Sequence, residues 1–394
     1  MKKYPKMDKH MKKLRVGVIG IGKIGLSHLK AIKAIEPLGY AELVAICTHD
    51  PEKAKTLCAT YEIPGCYTLS QEMLKHKNLD LVHNCTLNAM HYEINKSVLE
   101  RGLHILSEKP LTVDSQQSST LVALAHANNR KTAVNFVCRF YPVIQHIKEL
   151  IEKGTLGKIY SIHGTYLQDW LLFEHDYDWR VESRYGGTSR ALADIGSHWI
   201  DMAEFLLGRQ VERVAADFAT FLPMRKCSPT ETITVDTEDF ASLLMRFEGG
   251  IHGCLTASQV SAGRKSGLTF EIDGSIASLQ WSQEHPESAS LTHRDEPENI
   301  VDETGNIFPA KEKEESKIAG NPEEGGLPEQ ARPTLSRQEI FLEAQQRMID
   351  NFYRSILFSE PPLYADFLQG HHIVHIIEAA IESNRAARWV DIDR

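Results

Sequence analysis

The chain has 394 residues, of which 42% are hydrophobic and 25% are charged, and its formal net charge is −9. Because domains hold about 150 residues on average, this length predicts two domains, and the ordinary composition excludes wholesale disorder. The negative charge argues against nucleic acid as a partner, since nucleic-acid binding normally requires a basic face.

The N-terminal segment and the cysteines indicate a cellular location. Residues 1–15 are basic, but the apolar segment of a signal peptide does not follow them, and no apolar run is long enough to span a membrane. The seven cysteines form no CxxC pair, which is typical of free thiols in a reducing compartment. We therefore expect a cytoplasmic protein with no membrane partner.

A glycine motif follows the first predicted strand, at 15–20, and opens a helix that runs to about Glu36. It reads Gly20-Ile21-Gly22-Lys23-Ile24-Gly25, which is G-x-G-x-x-G between a strand and a helix. The first glycine permits a tight turn, the second lets a pyrophosphate approach the backbone, and the third lets the helix pack closely. The motif predicts a dinucleotide site to which Gly20, Gly22, Lys23 and Ile24 contribute.

The second predicted strand, 42–47, ends where sites that prefer NAD usually place an acid for the ribose. Thr48 occupies that position, and Asp50 with Pro51 fits the N-cap and first residue of the next helix. Thr48 could bind a 2′-phosphate that His49 or Lys53 neutralises, or Asp50 could reach a 2′-hydroxyl. The cofactor is therefore expected to be NAD or NADP, with the choice left open.

Further strands alternate with helices, at about 80–86, 104–107 and 132–137. This alternation predicts a parallel sheet covered on both faces, with ligands bound at the carboxyl ends of its strands. Thr86, Asn88 and Lys109 fall at such ends. A lysine at a strand end is usually only solvated, but this convergence makes Lys109, within Glu108-Lys109-Pro110, a candidate site residue.

Beyond Pro142 the pattern changes to successive strands joined by short turns, which predicts an antiparallel sheet. The strands are expected at 158–170, 211–220, 237–247, 251–260, 270–272 and 276–281. The acid-rich stretch 283–333 is predicted to be irregular, and helices are predicted from Ser336 to about Phe358 and from Asp366 to about Ala387. The fold class is thus α/β plus α+β: a Rossmann domain at 14–137 and a domain at 138–394 with a large open antiparallel sheet flanked by helices.

Asp194 and His198 lie between these strands and are four residues apart, which places both side chains on one face of a helix. A histidine there can accept a proton near neutral pH, with the carboxylate orienting it. The alternative is a buried histidine satisfied by Asp194 or Asp201. Because a third ligand is not evident at suitable spacing, no metal site is expected.

Taken together, these motifs resemble the Gfo/Idh/MocA family of NAD(P)-dependent oxidoreductases. The resemblance rests on four features in order: Gly20 to Gly25, Glu108-Lys109-Pro110, Arg139 to Pro142 with Gly154-Thr155-Leu156-Gly157, and Asp194 to His198. It implies that Lys109 lies beside nicotinamide and substrate, that the bond to Pro110 is often cis, and that one face of the open sheet forms a homo-oligomer interface, in a dimer or tetramer.

The resemblance also implies a set of site residues. The implied catalytic residues are Lys109, Asp194 and His198; Thr86, Asn88, His91 and Glu108 would line the cofactor. Leu87 departs from the family pattern, because a proline is common at its position. In the hypothetical mechanism His198 takes a hydroxyl proton, Lys109 stabilises the alkoxide, and Asp194 orients His198 or a neighbouring hydroxyl.

The segments Gln168 to Leu171, Asp178 to Arg180 and Gly186-Gly187 resemble the branch of the family that acts on pyranosides, anhydrosugars or inositols. Aromatic faces suit the C–H side of a sugar ring, and charged groups suit its hydroxyls. The implied substrate contacts are Arg139, Trp170, Trp179 and Arg180, beside Asp194 and His198. The expected reaction oxidises a secondary hydroxyl of a sugar or cyclic polyol to a ketone. Alternatives are an enzyme that retains its cofactor through a redox cycle, and a non-catalytic sensor, which the presence of Lys109 and His198 disfavours.

Overall fold

The computed structural model describes residues 12–75, 78–310 and 336–392, and its first half is built around a six-stranded parallel sheet. The strands are β1 Leu14–Ile19, β2 Ala41–Cys47, β3 Gly65–Tyr67, β4 Leu81–Asn84, β5 His104–Ser107 and β6 Thr132–Val134. The helices are α1 Lys23–Ile35, α2 Pro51–Tyr61, α3 Ser70–Met73, α4 His91–Glu100 and α5 Ser115–Ala127.

The order of this sheet, β3-β2-β1-β4-β5-β6, reverses direction between β1 and β4. In such sheets a ligand binds in the crevice at the carboxyl ends of the strands where the order reverses. The strands are mostly buried, with Val16, Val18 and Leu81 fully so, because helices cover both faces. The Rossmann arrangement predicted for the first half is confirmed.

A ten-stranded sheet organises the second half. Its elements are α6 Pro142–Glu152, β7 Ile159–Leu167, α7 Ser183–Gly186, α8 Ser197–Leu207, β8 Val211–Ala219, β9 Met224–Lys226, β10 Thr232–Thr234, β11 Phe240–Phe247, β12 Ile251–Ser258, β13 Gly267–Gly274, β14 Ala277–Ser282, β15 Ser288–His293, β16 Asn299–Asp302, β17 Ile307–Pro309, α9 Arg337–Phe358, α10 Phe367–Ala386 and β18 Val390–Asp391. The sheet order is β17-β16-β15-β14-β13-β7-β12-β11-β8-β18, and β9 and β10 form a separate hairpin.

Neighbouring strands of the large sheet are antiparallel except for β7 and β12, which run parallel. The predicted antiparallel sheet is therefore a mixed sheet with one parallel pair. The reason is that the chain leaves the sheet after β7 through α7 and α8, and such a helical crossover allows a later strand to return in the same direction.

The acid-rich stretch predicted to be irregular instead begins with β15, β16 and β17, which extend the large sheet. Ala289, Leu291 and Val301 are buried on its inner side, so polar residues between them face outward. That alternation is short and lies among many charges, which concealed it in the sequence. Residues 311–335 of the predicted stretch lie outside the described residues.

The last two helices return to the first half of the molecule. The predicted capping box at Ser336 is present, and α9 packs against α1. Ala365 pairs with Val134 at the edge of the parallel sheet, and α10 packs against both α5 and β8. The C-terminal segment thus joins the two sheets. Within the described part of the chain, no helix is both long and apolar enough to cross a membrane.

Candidate active site

The glycine turn between β1 and α1 has the shape that a dinucleotide requires. Gly20 has φ +88°, and a Cβ there would lie 2.6 Å from the Cys85 carbonyl oxygen. A Cβ at Gly25 would lie 2.0 Å from the Gly20 carbonyl oxygen, whereas one at Gly22 would meet no atom within 4 Å. Gly22 is therefore open where a pyrophosphate would approach, at a helix N-terminus without a side-chain cap. The residues present fit the cofactor, with Lys23 exposed and Ile24 half-buried beside the turn.

The end of β2 also lies at this crevice. Thr48 is buried, with its backbone N–H donating to the Tyr67 carbonyl oxygen, while His49 is exposed. Asp50 accepts hydrogen bonds from the backbone N–H groups of the next helix, as its predicted capping role requires. Lys53 donates to the Ile21 carbonyl oxygen at 2.6 Å, which holds a positive charge beside the glycine turn.

The segment after β4 links the two halves of the molecule. The Asn88 side-chain N–H donates to the Gly186 carbonyl oxygen at 3.0 Å, and Thr86 is half-buried at the strand end. His91 is fully buried, with its ring nitrogens 2.7 Å from the Pro110 carbonyl oxygen and 3.2 Å from that of Thr86. His91 was expected to line the cofactor. Because its side chain has no exposed surface, it lies behind the residues that face the crevice and supports them.

Lys109 joins the end of β5 to the second half of the chain. Its Nζ donates to the Asp194 carboxylate and to the Asp194 backbone carbonyl, both at 2.7 Å. An ammonium group has three N–H donors, so these contacts leave one for another oxygen. The Lys109–Pro110 peptide bond is cis, as the resemblance implies.

Both carboxylate oxygens of Asp194 are occupied. One accepts from Lys109 and from Arg180 Nε at 3.1 Å, and the other accepts from Gln259 Nε2 at 2.8 Å. Burial acts to raise the pKa of Asp194, but the charges of Lys109 and Arg180 outweigh it and hold that pKa well below its usual range. Asp194 is thus a permanent anion that fixes its three partners, rather than a proton acceptor.

The expected pairing of Asp194 with His198 is absent among the described hydrogen bonds. Residues Leu192–Gly196 form a π-helical turn, which is wider than an α-helical turn and offsets residues four apart. His198 instead packs against Phe136 and Tyr166, with its Nδ1 3.9 Å from Cys138 Sγ. Burial, reinforced by the Lys109 charge, lowers the pKa of His198 to about 3. The imidazole is therefore neutral at neutral pH, and its Nε2 makes no hydrogen bond in the described structure.

Arg139 is part of the core rather than of a substrate pocket. Its guanidinium donates to both Asp201 oxygens, at 2.8 and 2.6 Å, and to the Leu363 carbonyl oxygen. It also stacks over the Phe205 ring, and the side chain is almost fully buried. The expectation that Arg139 contacts substrate is therefore corrected, because the side chain is almost fully buried and each of its three guanidinium nitrogens already donates within the core. Asp201, the alternative partner of His198, is committed to the same contact.

The two tryptophans expected at the substrate occupy different positions. Trp179 lies under the Arg180 guanidinium, 4.3 Å from its ring centroid, and is thereby held next to Asp194. Trp170 is exposed after β7, where its indole N–H donates to Gln168 at 2.6 Å.

Two residues that support Asp194 have no motif in the sequence. Gln259 follows β12, and only the sheet pairing brings it to Asp194. Glu238 accepts hydrogen bonds at the start of the π-helical turn, from the Ser189 hydroxyl at 2.8 Å and the Leu192 backbone N–H at 2.9 Å. Glu238 precedes β11 and shares no local pattern with the turn, so neither contact was predictable from residue spacing.

Comparisons with known proteins cover both halves. Residues 14–136 match the family model described as "Oxidoreductase family, NAD-binding Rossmann fold", and residues 144–280 match the "GFO/IDH/MocA C-terminal domain". Levoglucosan dehydrogenase of Pseudarthrobacter phenanthrenivorans is 28% identical over 97% of this chain and 99% of its own. Trans-1,2-dihydrobenzene-1,2-diol dehydrogenase of Xenopus laevis is 25% identical over 77% of this chain and 89% of its own.

Solved structures resemble the whole chain. A levoglucosan dehydrogenase in complex with NADH and levoglucosan has a TM-score of 0.82 and 26% identity, covering 97% of this chain and all of that one. An inositol dehydrogenase homolog complexed with NAD+ from Azotobacter vinelandii has a TM-score of 0.79 and 24% identity, covering 98% of this chain and all of that one, and shows the same fold.

Proposed function

Because the chain belongs to the Gfo/Idh/MocA oxidoreductases, whose NAD-binding and C-terminal domain models match its two halves in order, we propose that it oxidises a secondary hydroxyl of a sugar, glycoside, anhydrosugar or inositol to a ketone. The observation that carries the proposal is the contact of Lys109 with Asp194 across the crevice of the Rossmann domain. The contact leaves an ammonium donor at the place where cofactor and substrate would meet.

The proposed chemistry divides between two side chains. NAD, bound along the glycine turn at Gly20 and Gly22, supplies the hydride acceptor. His198, neutral and with a free Nε2, takes the proton of the substrate hydroxyl. Lys109 donates its remaining N–H to the same oxygen, stabilising the negative charge that develops there.

Asp194 has a different part in this proposal from the one expected. Because its oxygens hold Lys109, Arg180 and Gln259, Asp194 aims the ammonium group and does not orient His198. Arg180 lies beside Asp194 and stacks on the ring of Trp179. A ring hydroxyl and the apolar face of a sugar can therefore be bound together at this point. Trp170 is the outer member of the proposed pocket.

The substrate class is supported by the relatives. Levoglucosan is an anhydrosugar, and the dehydrogenase named for it aligns with nearly the whole of this chain. We infer that the substrate of this protein belongs to the same class of cyclic sugars and polyols.

The experiment follows the absorbance of the reduced nicotinamide with purified protein, NAD or NADP, and a panel of levoglucosan, glucosides and inositols. We expect reduction with at least one member of the panel. The variant Lys109→Met keeps the length of the side chain without its charge and should abolish turnover. A wild-type protein that binds cofactor but reduces none with any member would contradict net oxidation. A cofactor that stays with the purified protein in that case would favour the internal redox cycle.

We further propose that copies of the chain associate through the open face of the ten-stranded sheet. Leu244 is 51% exposed on the side of β11 opposite its buried residues, so an apolar side chain lies uncovered on that face. Light scattering during gel filtration tests this, and Leu244→Arg should reduce the measured mass to that of one chain.

A further inference from the structure

A chain of four buried side chains runs behind Lys109. His28 Nε2 lies 2.9 Å from Glu108 Oε1, His28 Nδ1 lies 2.8 Å from His83 Nδ1, and His83 Nε2 lies 2.9 Å from the Tyr353 hydroxyl. The two histidines and the tyrosine have no exposed surface, and Glu108 is 6% exposed. These four side chains link α1, β4 and α9 to the residue before the candidate catalytic lysine. The proposed mechanism does not use them.

With Glu108 ionised and His28 neutral, the hydrogen atoms of these four side chains have one consistent placement. An ionised Glu108 only accepts, so His28 donates from Nε2, and a neutral His28 then accepts on Nδ1. His83 therefore donates from its Nδ1 and accepts on Nε2, where Tyr353 donates its hydroxyl hydrogen. In this placement the three hydrogen bonds are made by three neutral side chains and one carboxylate. The four side chains together therefore carry one negative charge.

The surroundings of the chain agree with this placement. Burial, together with the positive charge that His28 carries when protonated, lowers the pKa of His83 well below its usual range, which keeps that ring neutral. Burial acts to raise the pKa of Glu108, but the hydrogen bond from His28, the positive charge that His28 carries when protonated, the Lys109 charge and the hydrogen bond from Asn135 outweigh it and lower the pKa to about 2. The Asn135 amide donates to the same Glu108 oxygen as His28.

The position of Glu108 gives this charge a consequence. It follows β5, on the far side of β4 from the glycine turn at β1, and in a Rossmann sheet that half of the crevice receives the second nucleotide. The nicotinamide ring is positively charged when oxidised and neutral when reduced. A fixed negative charge nearby therefore favours the oxidised form.

We propose that His28 is a positioning residue that keeps Glu108 ionised, and that this buried charge makes the protein bind NAD+ more tightly, relative to NADH, than it otherwise would. The His83–Tyr353 end fixes which nitrogen of His28 carries the hydrogen. The inference rests on the proposed function only in that the crevice binds a nicotinamide cofactor; it does not depend on the substrate.

The test measures the dissociation constants of NAD+ and NADH by calorimetry, without substrate, for the wild type, His28→Leu and His28→Gln. Leucine removes the donor and leaves a buried carboxyl that takes up a proton, so the NAD+-to-NADH affinity ratio should fall about five- to twentyfold, as expected for the loss of one nearby charge in a protein interior. Glutamine can still donate to Glu108 and should keep the wild-type ratio. Glu108→Gln, which removes the charge directly, should reproduce the leucine result.

The ratio separates the electrostatic role from damage to the fold. A purely structural defect would weaken both forms of the cofactor equally, and that result in His28→Leu would overturn the inference. An unchanged ratio in Glu108→Gln would do the same, since it would mean that the chain already holds a compensating proton. If His28→Leu does not fold, the pair of Glu108→Gln and His28→Gln still decides the question. A wild type that binds neither form would overturn this inference and the proposed function together, whereas binding without a shifted ratio would overturn this inference alone.

Discussion

His198 is the residue whose replacement should separate chemistry from cofactor binding. Its neutral ring lies in an apolar wall formed by Phe136 and Tyr166, so alanine removes the proposed base without breaking an ion pair. We expect His198→Ala to lower kcat on a verified substrate by about 10²- to 10⁴-fold, the usual contribution of a positioned base, with an unchanged dissociation constant for NAD. Initial rates and calorimetry measure the two quantities.

The control for this substitution is His252→Ala, on an exposed histidine of β12. It should leave both quantities at the wild-type level. Retention of near wild-type turnover by His198→Ala would exclude His198 as the base.

At the residue scale, the sequence singled out residues that stand in local motifs, but not the contacts between them. Lys109 and Asp194 each stand in a short motif, and the structure brings them together. Gln259 and His28 meet their partners only through sheet pairing and helix packing, so their spacing in the chain carries no information about these contacts. Arg139 was misjudged for the same reason, since its partner Asp201 is 62 residues away.

The turn between β1 and α1 allows cofactor binding to be tested apart from folding. A methyl group at Gly22 meets no atom within 4 Å, whereas one at Gly25 lies 2.0 Å from the Gly20 carbonyl oxygen. Gly22→Ala should therefore keep the melting temperature of the unliganded protein within a few degrees but bind NAD at least about tenfold more weakly, because the methyl group occupies the approach of the pyrophosphate.

Gly25→Ala is the matched variant with the opposite expectation. It should lower the melting temperature even without cofactor, because backbone atoms must move to admit the methyl group. Equal cofactor affinities for Gly22→Ala and the wild type would show that the phosphates do not lie against this turn.

β1 and the turn before β4 are joined by a charged contact whose strength depends on pH. Asp80 accepts from the Arg15 backbone N–H at 3.0 Å and from Arg15 Nε at 2.8 Å, and also from Lys12. Burial acts to raise the pKa of Asp80, but the hydrogen bonds from Arg15 and Lys12 lower it to about 2. A carboxyl whose pKa is lower in the folded than in the unfolded state stabilises the fold above its unfolded pKa, about 3.9, and loses that contribution as the pH falls further.

We therefore expect Asp80→Asn to lower the free energy of unfolding at pH 7 by about 1–2 kcal/mol, after allowance for solvent screening at this partly exposed site. The difference from the wild type should shrink as the pH falls from about 4 toward 2. Urea unfolding at a series of pH values measures it. A difference that stays constant across this range would show that the carboxylate charge does not contribute.

Among the secondary-structure elements, those with a regular sequence pattern were predicted, and those with a mixed pattern were not. Strands alternating with helices predicted the parallel sheet, because the strands there are short, largely apolar runs separated by helical segments. The strands β15 to β17 were missed, since they are short, bury few residues and are separated by charged segments. The π-helical turn at Leu192–Gly196 was also missed, because an extra residue in a helical turn leaves no mark on composition.

For the whole molecule, the two halves are expected to fold as one unit. Phe352 and Tyr353 on α9 are fully buried, and α9 covers α1. A fragment 14–137 would expose that apolar surface and leave His83 without its tyrosine partner. We expect this fragment to show no cooperative thermal transition by circular dichroism, and full-length protein to show a single one.

The control is the fragment 14–137 joined to residues 336–394 through a flexible linker. This fusion should recover a cooperative transition. A fragment 14–137 that melts cooperatively and binds NAD would contradict this expectation. The sequence separated the two sheets correctly at the level of fold class, but α9 and α10 look like ordinary amphipathic helices whose destination only packing reveals.

The contact between His83 and Tyr353 also determines when the protein can finish folding during its synthesis. The two residues are 270 positions apart, so at about 5–20 residues per second the ribosome needs roughly 15–50 s to supply the second after the first. Throughout that interval the nascent first half exposes to solvent two histidines that are buried in the folded protein, together with the face of α1 that α9 later covers. Chaperones that bind apolar segments of nascent chains therefore have a defined target here, and a slower translation rate between these positions would lengthen its exposure.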